Sequence, residues 1–167
     1  MDTISLFDHL NEAGPIGSFI RNFFTNPVLI SGMIGWFLAQ TIKIPIDYIQ
    51  NRRWNWALWF SAGGMPSSHS ALMTSVTTAI GFFEGVGSSL FGLAFVMSMI
   101  VIYDATGIRR QAGIHAQKIN QMIAELLTGH PISDQVLKEV LGHTPIQAMW
   151  GTLLGIAVGT AVWLLMA

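Results

Sequence analysis

The sequence predicts an all-α integral membrane protein: a helical bundle of about four transmembrane helices, with interfacial amphipathic helices beside them. Three observations predict it. Mean hydropathy is +0.52, and the 167 residues carry only eight basic and nine acidic side chains, few for the surface of a soluble domain. Those charges are clustered. They leave uncharged windows of 21 residues between Arg21 and Lys43, 19 from Met65 to Phe83, 19 between Glu84 and Asp104, and 24 from Thr144 to Ala167. Each is close to the roughly 20 residues that cross a bilayer as a helix. Finally, a soluble protein hiding such windows in its core would need a polar remainder to cover them, and this chain lacks one. Residues 1–167 read as a single domain without repeats or low-complexity segments.

The elements follow in order. Residues 4–24 form an amphipathic opening segment, with Leu6, Phe7, Leu10, Phe19, Ile20 and Phe23 interrupted at Gly14-Pro15. It is expected to lie along the interface rather than to span. No cleavable signal peptide is expected, because Asp2, Asp8 and Glu12 stand where a basic start and an apolar core would be. Span one covers about Pro27 to Ile42, closed by Lys43. A polar loop follows with Asp47, Arg52 and Arg53, and with Trp54, Trp56 and Trp59, typical interface anchors. Span two begins at Pro66-Ser67-Ser68-His69, and Gly85-Val86-Gly87-Ser88 is a tight return. Span three runs to about Tyr103. Residues 104–143 form a polar segment with one or two helices, in which Ile119, Met122, Ile123, Leu126 and Leu127 recur at helical spacing, so part of it packs against something apolar. Span four opens after His143-Thr144-Pro145, with proline at a first helical position. Its Gly151, Gly155 and Gly159 form a ridge that lets another helix approach closely. That helix belongs either to the same bundle or to a second copy in a homo-oligomer.

Four spans put the loop 43–64 and the segment 104–143 on one side of the membrane. Seven of the eight basic residues, all but Arg21, fall there, and so do His69, His115 and His143. The tendency of Lys and Arg to stay in cytoplasmic loops explains the basic residues and puts this side in the cytoplasm. It does not explain the histidines. The location expected is the bacterial inner (plasma) membrane, as a multi-pass protein. The net charge of −1 is uninformative about nucleic acid, and no nucleic-acid partner is expected. The absence of cysteine excludes disulfides, thiolate metal sites and a cysteine nucleophile.

Two stretches carry chemistry. Gly63-Gly64-Met65-Pro66-Ser67-Ser68-His69-Ser70 puts a glycine turn, hydroxyls and a histidine before an apolar run. A helix starting there aims free N–H groups and its positive dipole end at an anion such as phosphate, and His69 is placed to give a proton to a leaving group. An ordinary capped helix start with an incidental histidine is the plainer alternative. In Asp104 to His115, Arg109 and Arg110 offer bidentate phosphate clamps. Arg109 and His115 are six residues apart, so on one continuous helix they stand about 120° apart, and both face one site only if the helix breaks near Gly107 or Gly113. Asp104 either orients a histidine or sits in a structural ion pair.

Pro66-Ser67-Ser68-His69 resembles the Pro-Ser-Gly-His motif of the type 2 phosphatidic acid phosphatase superfamily, and Arg109 with His115 is similar to its Ser-Arg-five-residues-His motif. Together with Leu137 to Pro145, the set resembles a small divergent branch of acid phosphatase/vanadium haloperoxidase-related proteins. The resemblance implies a metal-independent, cofactor-free lipid phosphate phosphatase acting through a phosphohistidine, with a glycerophospholipid monoester such as phosphatidylglycerophosphate as substrate. It implies His115 as nucleophile, His69 as acid, and phosphate held by Lys43, Arg109 and Arg53 or Arg110, with donors from Ser67 and Ser68. Ser68 replaces the motif's glycine, Ile108 its serine, Ile119 the aspartate four residues past the nucleophile, and no Arg-Pro follows Lys43. His143 is the other candidate nucleophile, because a helix start disfavours its protonated form. Outside this reading stand an anion or phospholipid transporter and a non-catalytic membrane scaffold with a degenerate site.

Overall fold

The computed structural model describes residues 14–61, 63–126 and 142–167. Expectations for the first thirteen residues, Lys138 and the Leu137 to Leu141 part of the third motif lie outside them. The helices are α1 Gly14–Phe24, α2 Pro27–Asn51, α3 Ser68–Phe83, α4 Ser89–Thr106, α5 Ile108–Leu126 and α6 Pro145–Met166, with a 3-10 turn at Trp56–Phe60. Among the described residues three segments are long and apolar enough to cross a bilayer: α2, α6 and the run that begins with α4. The chain is a membrane protein. Helix α3, at 16 residues, is about 24 Å long and shorter than the hydrocarbon core. It sits at the centre, packed by α2, α4 and α6.

The bundle buries small residues and exposes large ones. Ser31, Ser67, Ser68, Ser70 and Ser75 are fully buried, while Phe37, Phe95, Met97, Leu153 and Leu164 point outward. Lipid solvates such an exterior, and close backbone approach holds the interior together. The Gly151, Gly155 and Gly159 ridge faces α3: a Cβ at Gly155 would overlap Thr74 Oγ1 and stand 2.5 Å from the Ala71 carbonyl oxygen. The ridge is therefore occupied within the chain, and a homo-oligomer would need another surface. Gly32 and Gly35 of α2 approach α3 from the other side, against Val76 and Ser75. Hydroxyls on α3 bond back to its own carbonyls, Thr74 Oγ1 to Ser70 O at 2.6 Å and Ser75 Oγ to Ala71 O at 2.7 Å, which satisfies them in an apolar setting.

Two boundaries differ from expectation. Helix α2 continues through Pro45 to Asn51, so Lys43 lies within the helix rather than closing it. Membrane helices tolerate a proline where neighbouring groups re-satisfy the freed backbone. Among the described elements, helix α5 packs on α4 alone and leaves Ile119 and Met122 exposed. Its apolar face is not covered within the described residues, as befits an amphipathic helix lying on a bilayer. Trp54 and Trp56 are likewise exposed and stack in series with Tyr48, at ring-centroid separations of 4.4 and 6.0 Å.

Candidate active site

The chain gathers its polar residues at one end of the bundle, where α2 and α4 finish and α3 and α6 begin. Two backbone hydrogen bonds tie this end together. Ser67 N donates to Gln147 O at 3.0 Å, joining the starts of α3 and α6, and His143 N donates to Ala105 O at 3.0 Å, joining the approach to α6 to the last turn of α4.

At the α3 start Ser67 is the N-cap: its Oγ accepts from Ser70 N at 3.3 Å and lies 3.0 Å from Ser70 Oγ. Gly151 packs against the Ser67 carbonyl. Ser67 and Ser68 are both buried, so the cap and the helix seam take up this turn, while His69 alone is exposed on it. Gly64 precedes the turn at φ +88, a left-handed conformation suited to glycine, and lies over the stem of Lys43.

Lys43 is 1 % exposed. Its Nζ donates to Ser61 O at 3.0 Å, which uses one of its three N–H donors. One turn earlier, Gln40 Nε2 donates to Trp59 O at 3.0 Å, so α2 stitches the tryptophan loop down through two side chains. Lys43 lines a polar cavity of about 200 Å³ together with Asp47, Gln50, Gly64, Thr144 and Gln147.

The α6 start is a capping box. Thr144 Oγ1 accepts from Gln147 N, and Gln147 Oε1 accepts from Thr144 N at 3.0 Å. Gln147 Oε1 also lies 3.3 Å from Nδ1 of His143. A backbone N–H can only donate, so the atom it meets is the amide oxygen, and Nδ1 facing that oxygen must carry a proton. Neutral His143 therefore holds its lone pair on Nε2. The ring is 5 % exposed.

The remaining expected residues divide. Asp104 is half-buried beside Ala105, the partner of His143. Arg53 is exposed in the loop after α2. Arg109 and Arg110 occupy the first turn of α5. The break falls at Gly107, the C-cap of α4, and α5 then runs on through Gly113. The positions of Arg109 and His115 thus stand about 120° apart on one helix, and His115 is exposed. Sequence reasoning missed Gln147, Asp47 and Gln50. The first was visible as the Thr-x-x-Gln spacing of a capping box. The other two follow Lys43 on one helix face, a signal lost when the helix is stopped at Ile42. Among the described residues no group of three or more His, Asp or Glu is placed to hold a metal ion.

A family profile described as "Divergent PAP2 family" matches residues 24–158. The chain belongs to this family. Within this divergent PAP2 protein the matched region takes in α2 to α5 and α6 as far as Val158, and with them every residue that lines the cavity. It is 38 % identical over 143 residues to "Uncharacterized membrane protein YuiD" of Bacillus subtilis (strain 168), an alignment covering 79 % of this chain and 90 % of that protein. No solved structure matches it.

Proposed function

We propose that this divergent PAP2 protein is a membrane phosphatase that hydrolyses a lipid phosphate monoester, phosphatidylglycerophosphate to phosphatidylglycerol being the reaction favoured, through a phosphohistidine and without a metal. The observation that carries the reading is the Lys43 ammonium, buried yet open to a polar cavity whose far wall, Gln147, holds His143. A buried cation facing a polar cavity is a seat for an anion.

In this reading His143 is the nucleophile. Its Nε2 lone pair attacks phosphorus, and the P–O bond to the lipid alcohol breaks as His69 gives that oxygen a proton. Water then attacks the P–N bond, His69 takes the water's proton, and inorganic phosphate leaves with both histidines restored. Lys43, with Arg109, Arg110 and Arg53 as further candidates, balances the charge on the phosphoryl oxygens, which is most of what such a transfer needs. Asp104 serves as an orienting group near His143. The preference for His143 over His115 is supported by the continuity of α5, which keeps His115 off the face that Arg109 occupies. The run of basic residues in the segments after spans one and three supports a cytoplasmic-facing site in a bacterial inner membrane.

The test is phosphate release from a lipid monoester in chelator by protein purified in detergent, with inhibition by vanadate, followed by acid-free quenching and peptide mapping of the phosphorylated histidine. Label on His143 is the expected result; label on His115 overturns the assignment, and no release overturns the enzyme. A second reading, a scaffold that binds phosphate without turnover, is favoured by the burial of Ser67, Ser68 and His143; binding with no release would establish it. A transporter would instead carry an anion into liposomes.

A further inference from the structure

Beside the polar cavity lies a larger one of about 470 Å³ whose walls are almost wholly apolar. Its α2 wall is Ile42 and Ile46, its α6 wall is Trp150, Leu153 and Leu154, and Met65 and Pro66 close its upper edge. Ile46 and Met65 also line the polar cavity, so the two spaces adjoin across these side chains.

The chemistry of the combined space is graded along its axis. On α2 the lining runs from Gln50 and Asp47 past Ile46 to Lys43 and Ile42, a descent of about 12 Å from the helix end. On α6, antiparallel to it, the lining runs from Thr144 and Gln147 to Trp150, Leu153 and Leu154, about 15 Å from the helix start. Polar groups thus stand toward the mouth on both helices, and Ile42, Trp150, Leu153 and Leu154 lie deeper than Lys43 and Gln147. A free inorganic anion would need only the upper half. An amphiphile with an anionic head and a hydrocarbon tail needs both halves in this order.

We infer that the two cavities form one lipid site, in which an anionic phosphate headgroup lies against Lys43 and one acyl chain descends the groove between α2 and α6. The inference rests on the lipid-substrate reading above and adds where the chain sits and what the lining selects. The second acyl chain of a diacyl lipid stays in the bilayer. The buried ammonium selects the headgroup, because a zwitterionic head would bring a second cation to it.

The experiment is photolabelling of the intact protein in phosphatidylcholine vesicles, with a trace of phosphatidic acid that carries a diazirine on one acyl chain. Peptide mapping is expected to focus label on Ile42 to Ile46, Met65 and Trp150 to Leu154. Excess unlabelled phosphatidic acid should reduce that focus at least several-fold, and a phosphatidylcholine probe with the same diazirine should not produce it. Label spread evenly over outward residues such as Phe95, Met97 and Leu164, or equal focusing by the two probes, overturns the proposal. Leu154→Trp, which fills the groove, should lower the focused label while leaving the label on α4 unchanged; unchanged focusing in a variant of wild-type thermal stability also overturns it. Phosphate release measured on the same vesicles separates the two readings. Focused label without release removes the phosphatase and keeps the site, whereas release with diffuse label does the opposite.

Discussion

Two helix starts meet at the mouth of this bundle, and they exchange the roles their sequences advertise. The α3 start, with its glycines, serines and histidine, carries the stronger motif. The α6 start, Thr144-Pro145-Ile146-Gln147, reads as a routine cap. In the folded chain the α3 serines are buried in the cap and against Gly151, while Thr144 and Gln147 face the polar cavity and Gln147 fixes His143. Two turns with similar capping chemistry differ because one of them packs against a glycine ridge. Packing decides which of a motif's atoms are available; residue type only decides what those atoms do once exposed.

The sharpest way to break this comparison is at His69, the exposed member of the α3 turn. His69→Ala should lower turnover roughly 10²- to 10⁴-fold with thermal stability unchanged, as read by phosphate release and a melting curve in detergent. Wild-type turnover would remove the α3 start from the chemistry altogether. Next comes the seam that buries the serines. Gly151→Ala puts a Cβ into the Ser67 carbonyl and 3.0 Å from Ser70 Cβ, so overpacking should cost about 1–3 kcal/mol, measured by denaturant or thermal unfolding in detergent. Tolerance of that methyl would mean the two helices are not in contact. Smaller again is Gln147→Glu. A carboxylate beside Nδ1 stabilises the imidazolium and raises the pKa of His143. The neutral nucleophile then needs a more alkaline solution, and the acid limb of kcat/KM should move up by about one pH unit. An unmoved limb would separate Gln147 from the chemistry and leave it as a cap.

Much of the fold was legible because charge is costly in hydrocarbon: the four uncharged windows correspond to α2, α3, α4 and α6. Threading those spans also set the starts of spans two and four at one end of the bundle, and the bond from Ser67 to Gln147 joins them. What stayed hidden depends on neighbours in space. Lys43 looked like a helix end because it is charged, yet α2 runs on through it and through Pro45. The close approach of Gly32 and Gly35 to α3 was not read from the sequence, since a glycine's use as a contact shows only when another helix arrives. The resemblance put Arg109 and His115 in one site, which their spacing allows only if the helix breaks, and α5 runs on past Gly113.

The absence of bulk inside the bundle has a mechanical consequence. Apart from Lys43, the largest fully buried side chains are serines, and α3 is gripped by Gly32 and Gly35 on one flank and by Gly151, Gly155 and Gly159 on the other. Main chain therefore rests on main chain, with no long rotamers between to act as springs. Helices α2 and α6 also touch each other, so their spacing is held by close contact with one another and with α3; the entrance between them works as a fixed gauge, and ligands must suit the width its lining side chains leave.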